Sequence, residues 1–250
     1  MSYTVFAESY DALMENVNYD ACAAFLCKTL RRYGIADGLL LDLACGTGSV
    51  SVRLAQAGYE VIGTDASPDM LAIAQQKAQE AGRDVLFLCQ DMRALDLYGT
   101  VRAAVCTLDG LNHLPDLDAV RETLRRVALF LEPGGLFLFD VNTVYKHREV
   151  LGNNAFVYDT DDVFCVWQNA LRSDDTVQMD LDFFFPADGE DGVYVRESEH
   201  LTERAYSAAQ WQAALSDAGF RVLEMHDGYT ESPPAAHSAR VVYAVQKEQP

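Results

Sequence analysis

The 250-residue chain has few positive charges and no long apolar run. Lys and Arg number 19 against 38 Asp and Glu, so the formal net charge is −19. A chain this acidic repels a phosphate backbone, which excludes nucleic acid as the expected partner. No eighteen consecutive apolar residues occur, so no membrane-spanning helix is expected.

The sequence also lacks paired cysteines and the features of a secretory leader. Its six cysteines form no Cys-x-x-Cys pair, which favours small buried thiols over disulfides or a zinc site. Residues 1–10 contain no basic region followed by an apolar stretch. We therefore expect a cytoplasmic protein, monomeric or homodimeric, that acts on a small molecule.

Strand-like and helix-like segments alternate through the first part of the chain. Strands are expected at 39–44, 60–64, 85–89, 103–107 and 136–140, and two more close the chain at 220–226 and 240–246. Strands that alternate with helices require a parallel sheet with right-handed crossovers. The expected fold is α/β, a Rossmann-like, mostly parallel sheet of seven strands with helices on both faces.

The pattern changes after the fifth strand. Apolar and polar residues alternate from Val177 to Phe185, a period of two that predicts a half-buried strand. Further strands are expected at 163–171 and 193–202. We therefore predict an antiparallel β insertion over residues 145–205, within a Rossmann-like domain formed by residues 1–144 and 206–250.

A sharp glycine turn follows the first strand. Asp42 lies inside the apolar run that precedes it, where an acid costs solvation free energy. Gly46 and Gly48 remove side chains that would keep a ligand from the backbone, and a helix is expected from Ser49. Nucleotide-like cofactors bind at this position in α/β sheets.

Two cofactors fit such a turn. The spacing Gly46-x-Gly48, with an acid about twenty residues further on, also fits the NAD fingerprint of an oxidoreductase. Two details oppose NAD. Ser51 stands where a third glycine or alanine is expected, and Asp42 would place a negative charge beneath a pyrophosphate.

Four motifs together decide the interpretation. They are Leu-Asp-Leu-Ala-Cys-Gly-Thr-Gly at 41–48, Gly-Thr-Asp-Ala-Ser-Pro-Asp-Met at 63–70, Cys-Gln-Asp-Met at 89–92 and Glu-Pro-Gly-Gly at 132–135. This set resembles the class I S-adenosylmethionine (SAM)-dependent methyltransferases over most of the chain. Ala44 departs mildly from it, because the family usually has glycine there.

A finer resemblance concerns one branch of that family. Tyr-Asp-Ala-Leu-Met at 10–14 and the insertion after the fifth strand resemble the glycine and sugar-amine N-methyltransferases. In those enzymes an antiparallel flap covers the substrate side. The resemblance therefore implies methyl transfer to a small molecule, at nitrogen.

The resemblance also implies roles for individual residues. Asp42 would lie near the SAM ammonium, Asp65 would accept from both ribose hydroxyls, and Asp91 would accept from the adenine amino group. Met92 and Met70 would pack on the two faces of the adenine. The other expected cofactor-binding residues are Tyr10, Ala44, Cys45, Gly46, Thr47, Gly48, Ala66, Gln90 and Thr107.

The methyl group of a sulfonium needs little activation. Transfer is an in-line displacement that requires alignment and the exclusion of water, and a base only if the nucleophile arrives protonated. No metal-ligand spacing occurs, so no metal is expected. The candidate catalytic residues are Asp109, His113 and His200, and the candidate substrate-side residues are Asn112, Arg204 and Tyr206. The alternative to an enzyme is a SAM-binding regulatory protein that has lost catalytic turnover.

Overall fold

The computed structural model describes residues 7, 10–11, 13–14, 16–160, 163–187 and 192–248. The helices are α1 (Tyr19–Arg32), α2 (Ser49–Gln56), α3 (Pro68–Glu80), α4 (Leu117–Phe130) and α5 (Ala208–Asp217). The strands of the larger sheet are β1 (Leu39–Leu43), β2 (Glu60–Asp65), β3 (Val85–Cys89), β4 (Val101–Cys106), β5 (Leu131–Asn142), β10 (Phe220–Asp227) and β11 (Arg240–Lys247). The strands of the smaller sheet are β6 (Ala155–Asp159), β7 (Phe164–Leu171), β8 (Thr176–Pro186) and β9 (Tyr194–Arg204).

The larger sheet has seven strands in the order β10-β11-β5-β4-β1-β2-β3. Strands β1 to β5 are parallel to one another, and β11 is antiparallel to both β5 and β10. The central strands are buried on both faces, as helices packed on each side of a parallel sheet require. This topology confirms the predicted mixed α/β sheet and brings the carboxyl ends of β1, β2, β3 and β4 to one edge.

Side-chain caps start the helices that flank this edge. Ser67 Oγ accepts from the Met70 amide at 3.2 Å, and proline follows it in the first turn of α3. Ser207 and Gln210 form the predicted capping box of α5. No helix of the described part of the chain is long and apolar enough to cross a membrane.

The smaller sheet is antiparallel, in the order β6-β7-β8-β9. One face of β8 is buried through Val177, Met179, Leu181 and Phe183, in agreement with the alternation in the sequence. Strand β6 and the π-helical turn Lys146–Leu151 were not predicted. Strand β6 lies at the edge of the smaller sheet, and Val157 on this strand is 60% exposed. Because little of the strand is buried, burial imposes little alternation of apolar and polar residues on its sequence. The division into domains stays a prediction.

Strand β5 is longer than expected at its start. The Glu-Pro-Gly-Gly segment lies inside it, because Leu131 already pairs with Val101 before the register shifts at a bulge. A Cβ on Gly135 would come within 2.9 Å of the Arg102 carbonyl oxygen. Glycine therefore allows the backbones of β4 and β5 to approach at this bulge.

Candidate active site

A cavity of about 700 Å³ opens at the carboxyl ends of the parallel strands. Most residues predicted to bind the cofactor line it. These are Tyr10, Ala44, Cys45, Gly46, Thr47, Asp65, Ala66, Met70, Gln90, Asp91, Met92 and Thr107. Sequence reasoning missed other lining residues, among them Ser49, Arg93 and Leu114. Functional crevices of open α/β sheets lie at this edge.

The turn after β1 is left-handed at three positions. Ala44, Gly46 and Gly48 have φ of 54°, 52° and 72°. A Cβ added at Gly46 meets nothing within 4 Å, whereas one at Gly48 would lie 2.7 Å from the Ala74 Cβ on α3. Gly46 therefore keeps the cavity open, and Gly48 lets α2 and α3 pack closely. Gly48 does not itself line the cavity, which differs from its predicted role.

Asp65 lies at the end of β2, facing the glycine turn. Its Oδ2 accepts from the Gly46 amide and its Oδ1 from the Ser67 amide, both at 2.9 Å. Burial raises the pKa of the Asp65 carboxyl, although these backbone donors oppose the shift. Each oxygen retains a lone pair beyond its backbone bond, so the carboxylate is suited to accept from two neighbouring hydroxyl groups.

Replacing Asp65 by alanine is expected to weaken SAM binding by about 1–3 kcal/mol, the usual loss for a hydrogen bond to a charged group. Isothermal titration calorimetry measures this. Asp84→Ala is the matched control, because Asp84 is an exposed acid at the opposite end of the sheet, before β3. Equal SAM affinities for the two variants would contradict the assignment of Asp65.

Asp91 lies after β3 with an unexpected partner. The Arg93 guanidinium donates to both Asp91 carboxylate oxygens, and the Arg93 amide donates to Oδ1 at 2.8 Å. These donors hold the pKa of the Asp91 carboxyl below its usual value. Arg93 is adjacent because a 3₁₀ turn at Met92–Ala94 folds it back. The Asp91 carboxylate therefore stays ionised and is able to accept hydrogen bonds. A ligand that binds it shares this carboxylate with Arg93.

Asp42 is buried on β1 and does not line the cavity. Its side chain is buried, and Oδ2 accepts from the Ser51 hydroxyl at 2.5 Å. Its Oδ1 has no hydrogen-bond partner among the described residues. Burial, together with the charge of Asp65, raises the pKa of the Asp42 carboxyl to about 7. A buried acceptor with one free oxygen is able to meet the ammonium of a ligand through a bridging water.

The N-terminal segment is tied to the glycine turn. The Thr47 hydroxyl donates to Asp11 Oδ1 at 2.9 Å, and Lys77 Nζ lies 2.5 Å from Asp11 Oδ2. Lys77 also donates to the hydroxyl groups of Thr47 and Ser49 at 2.8 Å. This network holds Tyr10, the neighbour of Asp11, at the cavity wall.

The loop after β4 is strained and held by a buried acid. Leu108 and Asp109 have φ of 55° and 60°, which costs about 1–2 kcal/mol for each residue. Both of their amides donate to the Asp140 carboxylate, at 2.6 and 3.1 Å. Arg240 donates to Asp140 and, at 2.6 Å, to Asp109. Strain of this kind persists where the surroundings fix it, often at functional sites.

Asp109 is part of this charge network and does not line the cavity. Burial alone would raise the pKa of its carboxyl, but the positive charges of Arg240 and Lys146 outweigh burial and hold the pKa below its usual range. Its Oδ2 accepts from Asn142 Nδ2 at 3.0 Å. Asp109 therefore remains ionised and paired. This state makes it better suited to support the loop than to transfer a proton.

His113 also lines the cavity, and its predicted catalytic role stays a prediction. Its Nε2 lies 3.8 Å from Oε1 of Glu203, a buried acid on β9 that sequence reasoning missed. Atoms of Asp109, His113 and Glu203 lie within 4.8 Å of one another, a spacing open to a metal ion. However, Asp109 and Glu203 both accept from Asn142, and Asp109 also from Arg240. The cluster is therefore built around internal donors.

The remaining candidates lie away from the cavity. His200 is exposed on the outer face of β9, and its Nδ1 lies 2.6 Å from Asp180. Asn112 is buried and joins β5 to β9 by donating to the carbonyl oxygens of Asn142 and Arg204. Arg204 lies 3.4 Å from Asp174, and Tyr206 packs against Trp211 in the core. The cavity instead meets the flap strand β9 at Thr202.

The chain combines three features: the sheet order, the glycine turn and the acids at successive strand ends. Together they define an α/β enzyme that binds an adenosyl-type cofactor. A family model described as a methyltransferase domain matches residues 40–135. The protein named "Putative methyltransferase GWCH70_2453" from Geobacillus sp. (strain WCH70) is 35% identical, covering 99% of this chain and all of that protein. The chain belongs to the class I SAM-dependent methyltransferases.

Solved and curated relatives agree with this family. An S-adenosylmethionine-dependent methyltransferase from Clostridium acetobutylicum superposes with a TM-score of 0.88 at 31% identity over 99% of both chains. A glycine/sarcosine N-methyltransferase from Parasynechococcus marenigrum is 26% identical over 90% of this chain and 77% of its own length. Because the chain belongs to this family, its cofactor is SAM and not NAD. For the same reason it is an enzyme and not a regulatory protein without turnover.

Proposed function

We propose that this methyltransferase transfers the methyl group of SAM to a nitrogen atom of a small-molecule acceptor. The observation that carries the proposal is a titratable ring in the wall of the cavity. His113 lines the same cavity as the glycine turn, Asp65 and the end of β4. A base there serves an acceptor that arrives protonated, as amines do at neutral pH.

The residues of the glycine-turn end would hold the cofactor. Asp65 would accept from the ribose hydroxyls and Asp91 from the adenine amino group, while Met70 and Met92 pack on the ring. When bound, SAM supplies an electrophilic methyl group on a positively charged sulfur. The protein aligns the acceptor behind that methyl group and keeps water away.

The size and lining of the cavity support a small acceptor. A volume of about 700 Å³ lies within the range of small-molecule sites. Leu114 and Pro115 add apolar surface beside His113. Transfer to nitrogen is further supported by the likeness to the glycine/sarcosine N-methyltransferase. The cytoplasmic location and the monomeric or dimeric state stay predictions.

Incubation with methyl-tritiated SAM and a panel of small molecules tests the proposal. Each amine in the panel is paired with the alcohol of the same carbon skeleton, so that nitrogen and oxygen acceptors differ in one atom. We expect label in one or more amines and none in the paired alcohols. Labelling of alcohols alone, or of no small molecule, would overturn the nitrogen assignment.

A further inference from the structure

Glu203 is a buried acid with a defined set of neighbours. It lies near the end of β9, where its side chain is 5% exposed. Its Oε2 accepts from Asn142 Nδ2 at 2.7 Å, and its Oε1 faces His113 Nε2 at 3.8 Å. A buried carboxylate is costly unless it is paired, so the burial of Glu203 depends on these neighbours.

Glu203 has no ion pair with Lys or Arg among the described residues. Arg240 donates instead to Asp109 and Asp140. The groups that meet the Glu203 carboxylate are the side-chain amide of Asn142 and two histidine rings.

His147 is the other ring that faces Glu203. Its Nδ1 lies 2.7 Å from the Asp175 carbonyl oxygen, which only accepts, so the neutral ring carries its proton on Nδ1. Its Nε2 lies 3.3 Å from Glu203 Oε2 and makes no hydrogen bond. In that tautomer His147 has no N–H for Glu203, and His113 is the other ring that faces the carboxylate.

We propose that Glu203 is a positioning residue that keeps a proton on Nε2 of His113, so that Nδ1 is free to take a proton from an ammonium acceptor. This inference rests on the proposed function and narrows it to amines that are protonated when they bind. Asn142 fixes the Glu203 carboxylate, and Thr202, the neighbour of Glu203 on β9, lines the cavity beside the ring.

The proton and charge balance is complete. The ammonium gives one proton to His113 Nδ1 and becomes a neutral amine with a free lone pair. That lone pair forms the new carbon–nitrogen bond while the carbon–sulfur bond breaks and its electron pair stays on sulfur. The positive charge thus moves from sulfur to nitrogen, and the proton held by His113 returns to solvent. Asp65 and Asp109 are the other acids near the ring.

Glu203→Gln tests the proposal, because glutamine keeps an oxygen for Asn142 but removes the charge. Glu197→Gln is the matched control, since Glu197 is exposed on the same strand with the same side-chain parity. With an amine acceptor found by the labelled-SAM panel, we expect Glu203→Gln to lower kcat roughly 10- to 100-fold. We also expect the rising limb of the pH–rate profile to move about one pH unit lower. SAM affinity by calorimetry should match the control.

A second measurement needs no acceptor and no variant. Nitrogen-15 NMR of the ring nitrogens in the wild-type protein reports which of them carries the proton. We expect the Nε2–H form of neutral His113. The Nδ1–H form, or identical pH–rate profiles for Glu203→Gln and Glu197→Gln, would overturn the role of Glu203 while leaving nitrogen methylation intact. Turnover of alcohols alone by the wild-type enzyme would overturn both.

Discussion

Gly48→Ala is expected to lower the free energy of unfolding by about 2–5 kcal/mol. A φ of 72° costs an L-residue about 1–2 kcal/mol. The added methyl group would also lie 2.7 Å from the Ala74 Cβ and 3.1 Å from the Ala74 Cα. Neither atom belongs to the flexible end of a side chain, so the steric clash is relieved only if α3 shifts against α2. This shift costs about 1–3 kcal/mol. Urea denaturation measures the sum.

Gly46→Ala is the matched control two residues earlier. Its φ of 52° imposes similar strain, but the added methyl group meets nothing within 4 Å. We expect a loss of only about 1–2 kcal/mol in the free energy of unfolding. Because Gly46 lines the cavity, this variant should instead weaken SAM binding. Equal stability losses in the two variants would show that contact with α3 is not what requires Gly48.

Asp42 is expected to make the protein less stable as pH rises. Its pKa is about 7 in the folded protein and about 4 in the unfolded chain. Between these values the unfolded chain has lost the proton that the folded protein still binds, so the free energy of unfolding falls as pH rises. The contribution is absent below pH 4 and complete above pH 7, where it reaches at most about 4 kcal/mol.

Comparison with Asp42→Asn isolates this effect. The variant cannot ionise, so its stability relative to wild type should rise by about 2 kcal/mol between pH 5.5 and pH 8. This pH range lies above the isoelectric point of the sequence, which is near 4.4. Asp84→Asn, at an exposed position, controls for the loss of one negative charge. Parallel pH–stability curves for wild type and Asp42→Asn would contradict a raised pKa at Asp42.

The cavity wall around the glycine turn was predictable from sequence because its signals are local. Gly46, Asp65 and Asp91 each lie at or just after the end of a strand of the parallel sheet, and topology alone brings those strand ends to one edge. Most residues implied by the family resemblance therefore line one cavity. Arg93 was missed because its contact with Asp91 depends on the geometry of a short 3₁₀ turn.

The acceptor side was less predictable because its contacts join distant segments. Glu203 meets Asn142 and His113, which lie 61 and 90 positions earlier in the chain, and no local pattern encodes either contact. The alternation of side chains along β9 defines the two faces of the strand. It does not define the position along the strand at which the cavity ends. Thr202 lines the cavity, whereas His200 is about 7 Å further along the strand and lies in solvent.

A crystal structure with S-adenosylhomocysteine, the demethylated cofactor, tests the central claim most directly. The account predicts ribose hydroxyls within hydrogen-bond distance of Asp65 and adenine between Met70 and Met92. It also predicts a sulfur atom that faces the His113 end of the cavity. The ligand bound elsewhere, or its sulfur turned away from His113, would contradict the account.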